Sequence, residues 1–256
     1  MISWIVLGAN RENGSTKITK LHEEMLMTDS QKKAGLIIAI DGPSGSGKST
    51  LGQLLARELK LLYVDTGSMY RAVALAVLEA GIDPKDIGRV GQLANSIDIN
   101  LRGDVDDLRV LLNGKDVTEK IRSDEVTDMS SLISTIPAVR RAMVERQREL
   151  GKRGAVLNGR DIGTVVFPAA DIKFYLTASA DERARRRFTE EQAHGVESSF
   201  AETLAEMTER DRRDSTRSDS PLSVANDAII IDSSGVSIDG VFDRMMLEIE
   251  KLRGRP

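Results

Sequence analysis

Short apolar runs alternate along this chain with longer stretches of helical periodicity. Leu36-Ile37-Ile38-Ala39-Ile40 is a continuous apolar run of buried-strand length, and Leu51, Leu54, Leu55 and Leu59 follow it at helical spacing. Leu61 to Asp65 reads as a second buried strand, followed by a helix with Met69, Val73, Val77 and Ala80 on one face that ends between Gly81 and Pro84. Ala155 to Asn158, Ile172 to Leu176 and Ala228 to Asp232 read as three further strands, and Ile238, Val241, Phe242, Met245, Ile249 and Leu252 mark a closing helix. Thr127 to Leu150 is helical with an interruption at Pro137. Strands alternating with helices predict a doubly wound α/β fold, a five-stranded parallel sheet with helices on both faces. Residues 96–126 depart from that pattern. Ile97 to Leu101 alternates, and Asn113-Gly114 lies within Leu108 to Val117, so a small antiparallel hairpin insert is expected there.

The first turn carries the chemistry. Asp41-Gly42-Pro43-Ser44-Gly45-Ser46-Gly47-Lys48-Ser49-Thr50 contains G-x-x-x-x-G-K-[ST] between a strand and a helix, the context in which a glycine loop aims backbone N–H groups and a positive helix end at phosphates. Lys48 is suited to the β- and γ-phosphates of a nucleoside triphosphate, and the Ser49 hydroxyl to Mg²⁺. Later segments add arginines. Arg71 stands near the start of the second helix, where a solvated surface charge is the competing reading. Gly159-Arg160-Asp161-Ile162-Gly163-Thr164 follows the third core strand, at the sheet edge where ligands bind in parallel α/β folds. Arg183, Arg185, Arg186 and Arg187 come soon after the fourth strand, and Gly195 and His194 fit a mobile covering segment. Phe200, Leu204 and Met207 then form an apolar stripe on a helix whose continuation puts Arg210, Arg213, Asp214 and Arg217 on one face. A salt-bridged surface helix would show the same spacing.

Composition narrows the choice. The net charge of −4 does not suit a general nucleic-acid binder. The absence of Cys excludes disulfides and thiolate catalysis, and no apolar run approaches the ~20 residues of a membrane span. A soluble cytoplasmic enzyme is expected, acting on small molecules, with neither nucleic acid nor membrane as partner. Two unit charges 4 Å apart repel by about 4 kcal/mol at an effective dielectric near 20, and two phosphates brought in line raise several such terms. Arg71, Arg160, Arg186, Arg210, Arg213 and Arg217 are therefore what a kinase acting on a phosphorylated acceptor requires, because guanidinium stays charged and grips phosphate bidentately. Another small P-loop kinase with a different acceptor is the nearest alternative. A nucleotide-switched regulator would need a switch-like Asp-x-x-Gly or a guanine reader, and neither is found.

Four segments together resemble the bacterial cytidylate kinase family: the glycine loop, Asp65-Thr66-Gly67-Ser68-Met69-Tyr70-Arg71, Gly159 to Pro168, and Arg210-Asp211-Arg212-Arg213-Asp214-Ser215-Thr216-Arg217. The resemblance runs from about Leu36 to Leu252. It implies a nucleoside-monophosphate-kinase fold that moves the γ-phosphoryl group of MgATP to CMP or dCMP. Gly42, Pro43, Ser44, Gly45, Ser46, Gly47, Lys48, Ser49 and Thr50 would hold ATP, with Ser49 on the metal and the lid residues Arg183, Arg186 and Arg187 closing over it. Asp65, Thr66, Tyr70, Arg71 and Arg160 would meet CMP at or near its phosphate. Ser131, Arg140, Asp161 and Arg217 would surround the cytosine, Arg210 and Asp214 would contact the ribose, and Arg213 would complete the acceptor side. Lys48, Arg160, Asp161, Arg186 and Arg210 are the implied catalytic set. The implied partition is an N-terminal extension at 1–35, disordered or a mis-set start, and a kinase domain at 36–252. Within it, 36–65 and 151–182 form the core, 66–150 the monophosphate-binding region with its insert at 96–126, 183–198 the lid, and 199–252 the C-terminal core. A monomer is expected. Asn158 is a departure, since relatives often carry an acidic residue there.

Overall fold

The computed structural model describes residues 35–254 except His194. Most of the expected extension, with His22, lies outside the described residues, as does His194 of the covering segment. Five parallel strands form the main sheet in the order β2-β6-β1-β7-β8. They are β1 (Ile37–Asp41), β2 (Leu62–Asp65), β6 (Ala155–Gly159), β7 (Ile172–Thr177) and β8 (Ile229–Asp232). Side chains alternate across each strand, so β1 sends Ala39 into an apolar cluster on one face and Ile38 and Ile40 into a cluster on the other. The first face is covered by α2 (Thr66–Glu79) through Met69 and Val73 and by α5 (Pro137–Gly151) through Val139 and Met143. The second is covered by α1 (Lys48–Leu59) through Leu51 and Leu55 and by α8 (Ile238–Arg253) through Val241, Met245 and Ile249. Each fully buried aliphatic side chain of this kind contributes about 1.5–3 kcal/mol relative to exposure.

Between α2 and α5 the chain adds two helices and a small sheet on the same face. Helix α3 (Ile87–Ser96), which periodicity did not single out, is capped by the Asp86 carboxylate accepting from the Arg89 N–H at 3.0 Å. The insert is a three-stranded antiparallel sheet of β3 (Ile99–Arg102), β4 (Arg109–Leu112) and β5 (Lys115–Asp116). Asn113 and Gly114 both take positive φ, 49° and 79°, as a two-residue hairpin turn demands. Helix α4 (Asp124–Ile133) precedes α5, and Pro137 sits in the first turn of α5, where a missing N–H costs nothing. The Pro137 interruption is thus a boundary between two helices.

Helices α6 (Ala180–Ala193) and α7 (Phe200–Thr216) pack on each other beyond β7. Phe188 meets Phe200 edge to face at 6.4 Å, and Arg185 lies 5.6 Å from the same ring. The α6–α7 turn is tied by the Glu191 carboxylate, which accepts from Arg187, Ser198 and Thr203 at 2.8, 2.9 and 2.8 Å. A capping box between Ser199 and Glu202 starts α7.

Parallel register gathers the chemistry. Asp41 pairs with Gly159, and Asp65 with Asn158, so the C-terminal ends of β1, β2 and β6 present their following loops at one sheet edge.

Candidate active site

Residues 42–47 leave β1 and enter α1 as a tight loop. Gly42, Gly45 and Gly47 take φ values of 146°, 72° and 90°, conformations that L side chains rarely adopt. At Gly45 a Cβ would also meet the Met207 Cε at 2.9 Å and the Arg183 carbonyl at 3.0 Å. Lys48 is buried and donates to the Pro43 carbonyl at 2.5 Å and the Ser46 hydroxyl at 3.2 Å. Among the described residues no carboxylate bonds it. Burial, and then the Arg160 charge, hold its pKa well below the ordinary lysine value. Ser49 and Thr50 are exposed at the start of α1, and the Ser49 hydroxyl accepts from the Asn158 side-chain amide at 3.1 Å.

Three α6 arginines expected near the triphosphate are held in different ways. Arg183 touches the loop itself, donating to the Ser44 carbonyl at 3.1 Å and to Asp211 on α7 at 2.5 Å. Arg186 donates to the Ser233 carbonyl at 2.7 Å, and the Ser233 hydroxyl reaches the Ser46 carbonyl at 3.5 Å, so its link to the loop is indirect. Arg187 is turned to Glu191 and Glu190 on its own helix.

On the other side of the β1 edge lies a second group. Arg140, only 2 % exposed, donates to Asp161 at 2.5 Å and to the Ser134 carbonyl at 3.2 Å, and its guanidinium stands 5.7 Å from the Tyr70 ring. Arg217 stands 3.8 Å from the other Asp161 oxygen and 3.5 Å from Asp214, which also accepts from Arg160 at 2.8 Å. Three arginines thus share two buried carboxylates. Arg71 pairs with Asp65 at 3.3 Å. Arg210 has no hydrogen bond or ion pair among the described residues, and burial, with Arg160, Arg71 and Arg187 nearby, lowers its pKa to about 10. Burial pushes the Asp214 pKa up, but the Arg160, Arg210 and Arg217 charges together bring it below the ordinary value. Burial raises the Tyr70 hydroxyl to about 12. At Arg140 burial opposes the charge, yet Tyr70 and Asp161 raise its pKa on balance. The region therefore carries more positive than negative charge, and desolvation makes that excess costly until an anion arrives.

Polar groups left without partners say the same thing. The Ser131 hydroxyl, the Tyr70 hydroxyl, Arg71 Nε, Arg140 Nε and Arg217 Nη2 are all buried without a hydrogen-bond partner. Native interiors leave few such groups, and a cluster of them marks a place where something else supplies the partner. Two expected contacts are engaged elsewhere. The Thr66 hydroxyl donates to the Asn158 carbonyl at 2.7 Å, and Arg213 leans toward Glu209 at 3.6 Å.

Sequence reasoning left three participants unassigned. Asp219 stands 3.9 Å from Arg140 Nε, and Ser134 gives Arg140 its carbonyl. Nothing in local pattern points to either, because the contacts span a loop and a helix turn. Asp41, the first residue of the glycine-loop motif, is the third: its carboxylate accepts from the Ile162 and Gly163 N–H groups at 2.8 and 2.7 Å.

A family model described as cytidylate kinase matches residues 38–251. The cytidylate kinase of Geobacter sp. strain M21 is 46% identical over 215 residues, 84% of this chain and 92% of that protein. That of Solibacter usitatus is 48% identical over 232 residues, covering 89% and 97%. That of Limosilactobacillus reuteri DSM 20016 is 46% identical over 219 residues, covering 85% and 96%.

Proposed function

The chain belongs to the cytidylate kinase family, and on that premise we propose how its residues divide the transfer of the γ-phosphoryl group of ATP to CMP or dCMP. The glycine loop from Gly42 to Thr50 binds the triphosphate, with Lys48 on the β- and γ-phosphates. Arg71 and Arg160 hold the acceptor phosphate. Ser131, Arg140, Asp161 and Arg217 read the cytosine, whose carbonyl, ring nitrogen and amine match hydroxyl, guanidinium and carboxylate. Arg210 and Asp214 take the ribose, and Arg213 adds charge at the rim. Residues 183–198 close as a lid, bringing Arg186 and Arg187 toward the triphosphate once their present partners are released. Closing excludes water and so limits wasteful hydrolysis.

The observation that carries this reading is the set of buried polar atoms without hydrogen-bond partners on Ser131, Tyr70, Arg71, Arg140 and Arg217. A phosphorylated cytosine nucleotide supplies acceptors for these atoms and negative charge beyond that of Asp65, Asp161 and Asp214, which the arginines already share. Transfer itself then needs little covalent chemistry from the protein. Two anions are held in line while Lys48, Arg160, Arg186 and Arg210 neutralise the equatorial oxygens, and Asp161 keeps Arg140 and Arg217 aligned.

Mg²⁺ fits the residues at the loop. The exposed Ser49 hydroxyl is one oxygen donor, and Asn158 Oδ1, buried without a partner beside it, is a second able to hold metal-bound water. When bound, the ion would supply positive charge against the triphosphate, with Ser49 and Asn158 as the residues that would hold it. The test of the whole reading is ADP production from MgATP against CMP, dCMP, UMP, AMP and shikimate. Rapid turnover is expected with CMP and dCMP, weak turnover with UMP, and none in Lys48→Ala. ADP formed equally without acceptor would point to an ATPase and defeat it.

A further inference from the structure

Asp41 ends β1 one residue before the glycine loop, and its side chain points sideways across the sheet. It is 4 % exposed and accepts from two consecutive backbone N–H groups, Ile162 and Gly163, at 2.8 and 2.7 Å. Those two residues open the short helical turn Ile162–Val166, directly after Arg160 and Asp161. The turn is otherwise tightly confined. A Cβ on Gly163 would stand 3.3 Å from Asp41 Oδ2 and 3.0 Å from the Lys173 side chain, and one on Gly159 would stand 2.7 Å from Ile162 Cδ1. Among the described residues no cation within ion-pair distance balances Asp41. Lys48, Asp161 and Tyr175 feel its charge, and the Lys173 side chain, bonded to Asp227, lies on the other side of Gly163.

A carboxylate kept in an apolar sheet edge without a counter-ion is expensive. Its two amide bonds, with the more distant attraction of Lys48, offset that cost only in part, and what the bonds hold is the segment that carries Arg160 and Asp161. We propose that Asp41 is a positioning residue for acceptor binding, clamping the 159–163 turn so that Arg160 and Asp161 face CMP. The inference rests on the assignment of Arg160 and Asp161 to the acceptor made above. One residue thereby joins the strand that launches the triphosphate loop to the turn that grips the acceptor. Burial raises the Asp41 pKa to about 6 despite both amide bonds, so the clamp is charged at pH 7.5 and loses one acceptor oxygen to a proton as pH falls through that value.

Two measurements test this. In nucleotide-free wild-type protein, the Ile162 and Gly163 amide resonances should titrate together with a midpoint near 6. In Asp41→Asn, whose amide offers a donor where an acceptor is needed, that titration should vanish. At pH 7.5 the variant should show a roughly ten- to hundredfold higher KM for CMP, the order expected for a small misplacement of positioning groups, with the KM for ATP within about twofold of wild type. The variant-to-wild-type KM ratio should shrink below pH 6, since the wild-type clamp then protonates while titration of CMP itself is common to both proteins. Static amide resonances in the wild type, or equal losses for CMP and ATP, would overturn the proposal. Arg160→Ala is measured in parallel. If it too raises the KM for CMP while Asp41→Asn does not, the clamp is wrong and the site reading stands; if Arg160→Ala leaves CMP untouched, the site reading fails and takes this inference with it.

Discussion

Replacing Arg140 with Met separates the energetics of the fold from those of base recognition. Arg140 and Asp161 are 2 % and 6 % exposed and bonded at 2.5 Å. Met fills much of the aliphatic volume but leaves Asp161 with Arg217 at 3.8 Å as its nearest cation. Removing one partner of a buried pair costs about 3–5 kcal/mol, chiefly through the charge left behind. For a chain of this size that predicts a Tm about 6–20 °C lower. Asp161→Asn in the same chain removes the stranded charge, so Arg140→Met/Asp161→Asn should recover most of the loss. Recognition should not recover. A lost charge-assisted hydrogen bond is worth about 1.5–3 kcal/mol, so CMP affinity should fall about ten- to hundredfold in the single variant and stay low in the double. Calorimetric unfolding and separate titrations with CMP and a non-hydrolysable ATP analogue measure both. An equal loss of ATP affinity, or a double variant no more stable than the single, would refute the reasoning.

Other expectations follow from the same geometry. Because burial depresses the Lys48 pKa and a triphosphate raises it again, analogue binding in alkaline buffer should take up more protons in the wild type than in Lys48→Arg; binding enthalpies in buffers of different ionisation heat measure the difference. In Asn158→Asp the new carboxylate, buried beside Ser49, should cost the metal-free protein about 1–3 kcal/mol in urea unfolding while half-saturation by Mg²⁺ moves to lower concentration. An unchanged Mg²⁺ dependence would remove Asn158 from the metal's surroundings. Gly45→Ala combines a φ of 72° with a Cβ only 2.9 Å from Met207 Cε; a stability loss of about 1–3 kcal/mol and a raised KM for ATP are expected, checked by unfolding and steady-state kinetics.

Much of the architecture could be read in advance because it depends on local pattern. The five apolar runs became the five strands, shifted by a residue where Leu61 and Ala228 fall outside β2 and β8. Asn113-Gly114 announced its own turn, since few other pairs accept two successive positive φ values. Gly88 and Gly91 weaken the local helical propensity of α3, and the Ala138 side chain of α5 packs so close to Gly91 that a Cβ there would stand 2.7 Å away. That is a tertiary reason for a residue that local propensity disfavours.

The same division holds at the active site. By itself the sequence determined a glycine loop of phosphate-binding pattern, because strand, glycines, lysine and helix lie within one short segment and their geometry follows from backbone conformation. It also identified the arginines by number and spacing. Only the tertiary structure decided what each arginine does. Arg140, Arg160 and Arg217 converge on Asp161 and Asp214 because parallel pairing of β1, β2 and β6 aligns their C-terminal ends and α7 packs beside them. Arg210 stands without a partner among the described residues in that company, whereas Arg213, three positions along the same helix, leans toward Glu209. Asp41 shows the limit most plainly. Its two hydrogen bonds reach residues 121 and 122 positions away, and a bond across that separation exists only once the sheet has set the end of β1 beside the turn that follows β6.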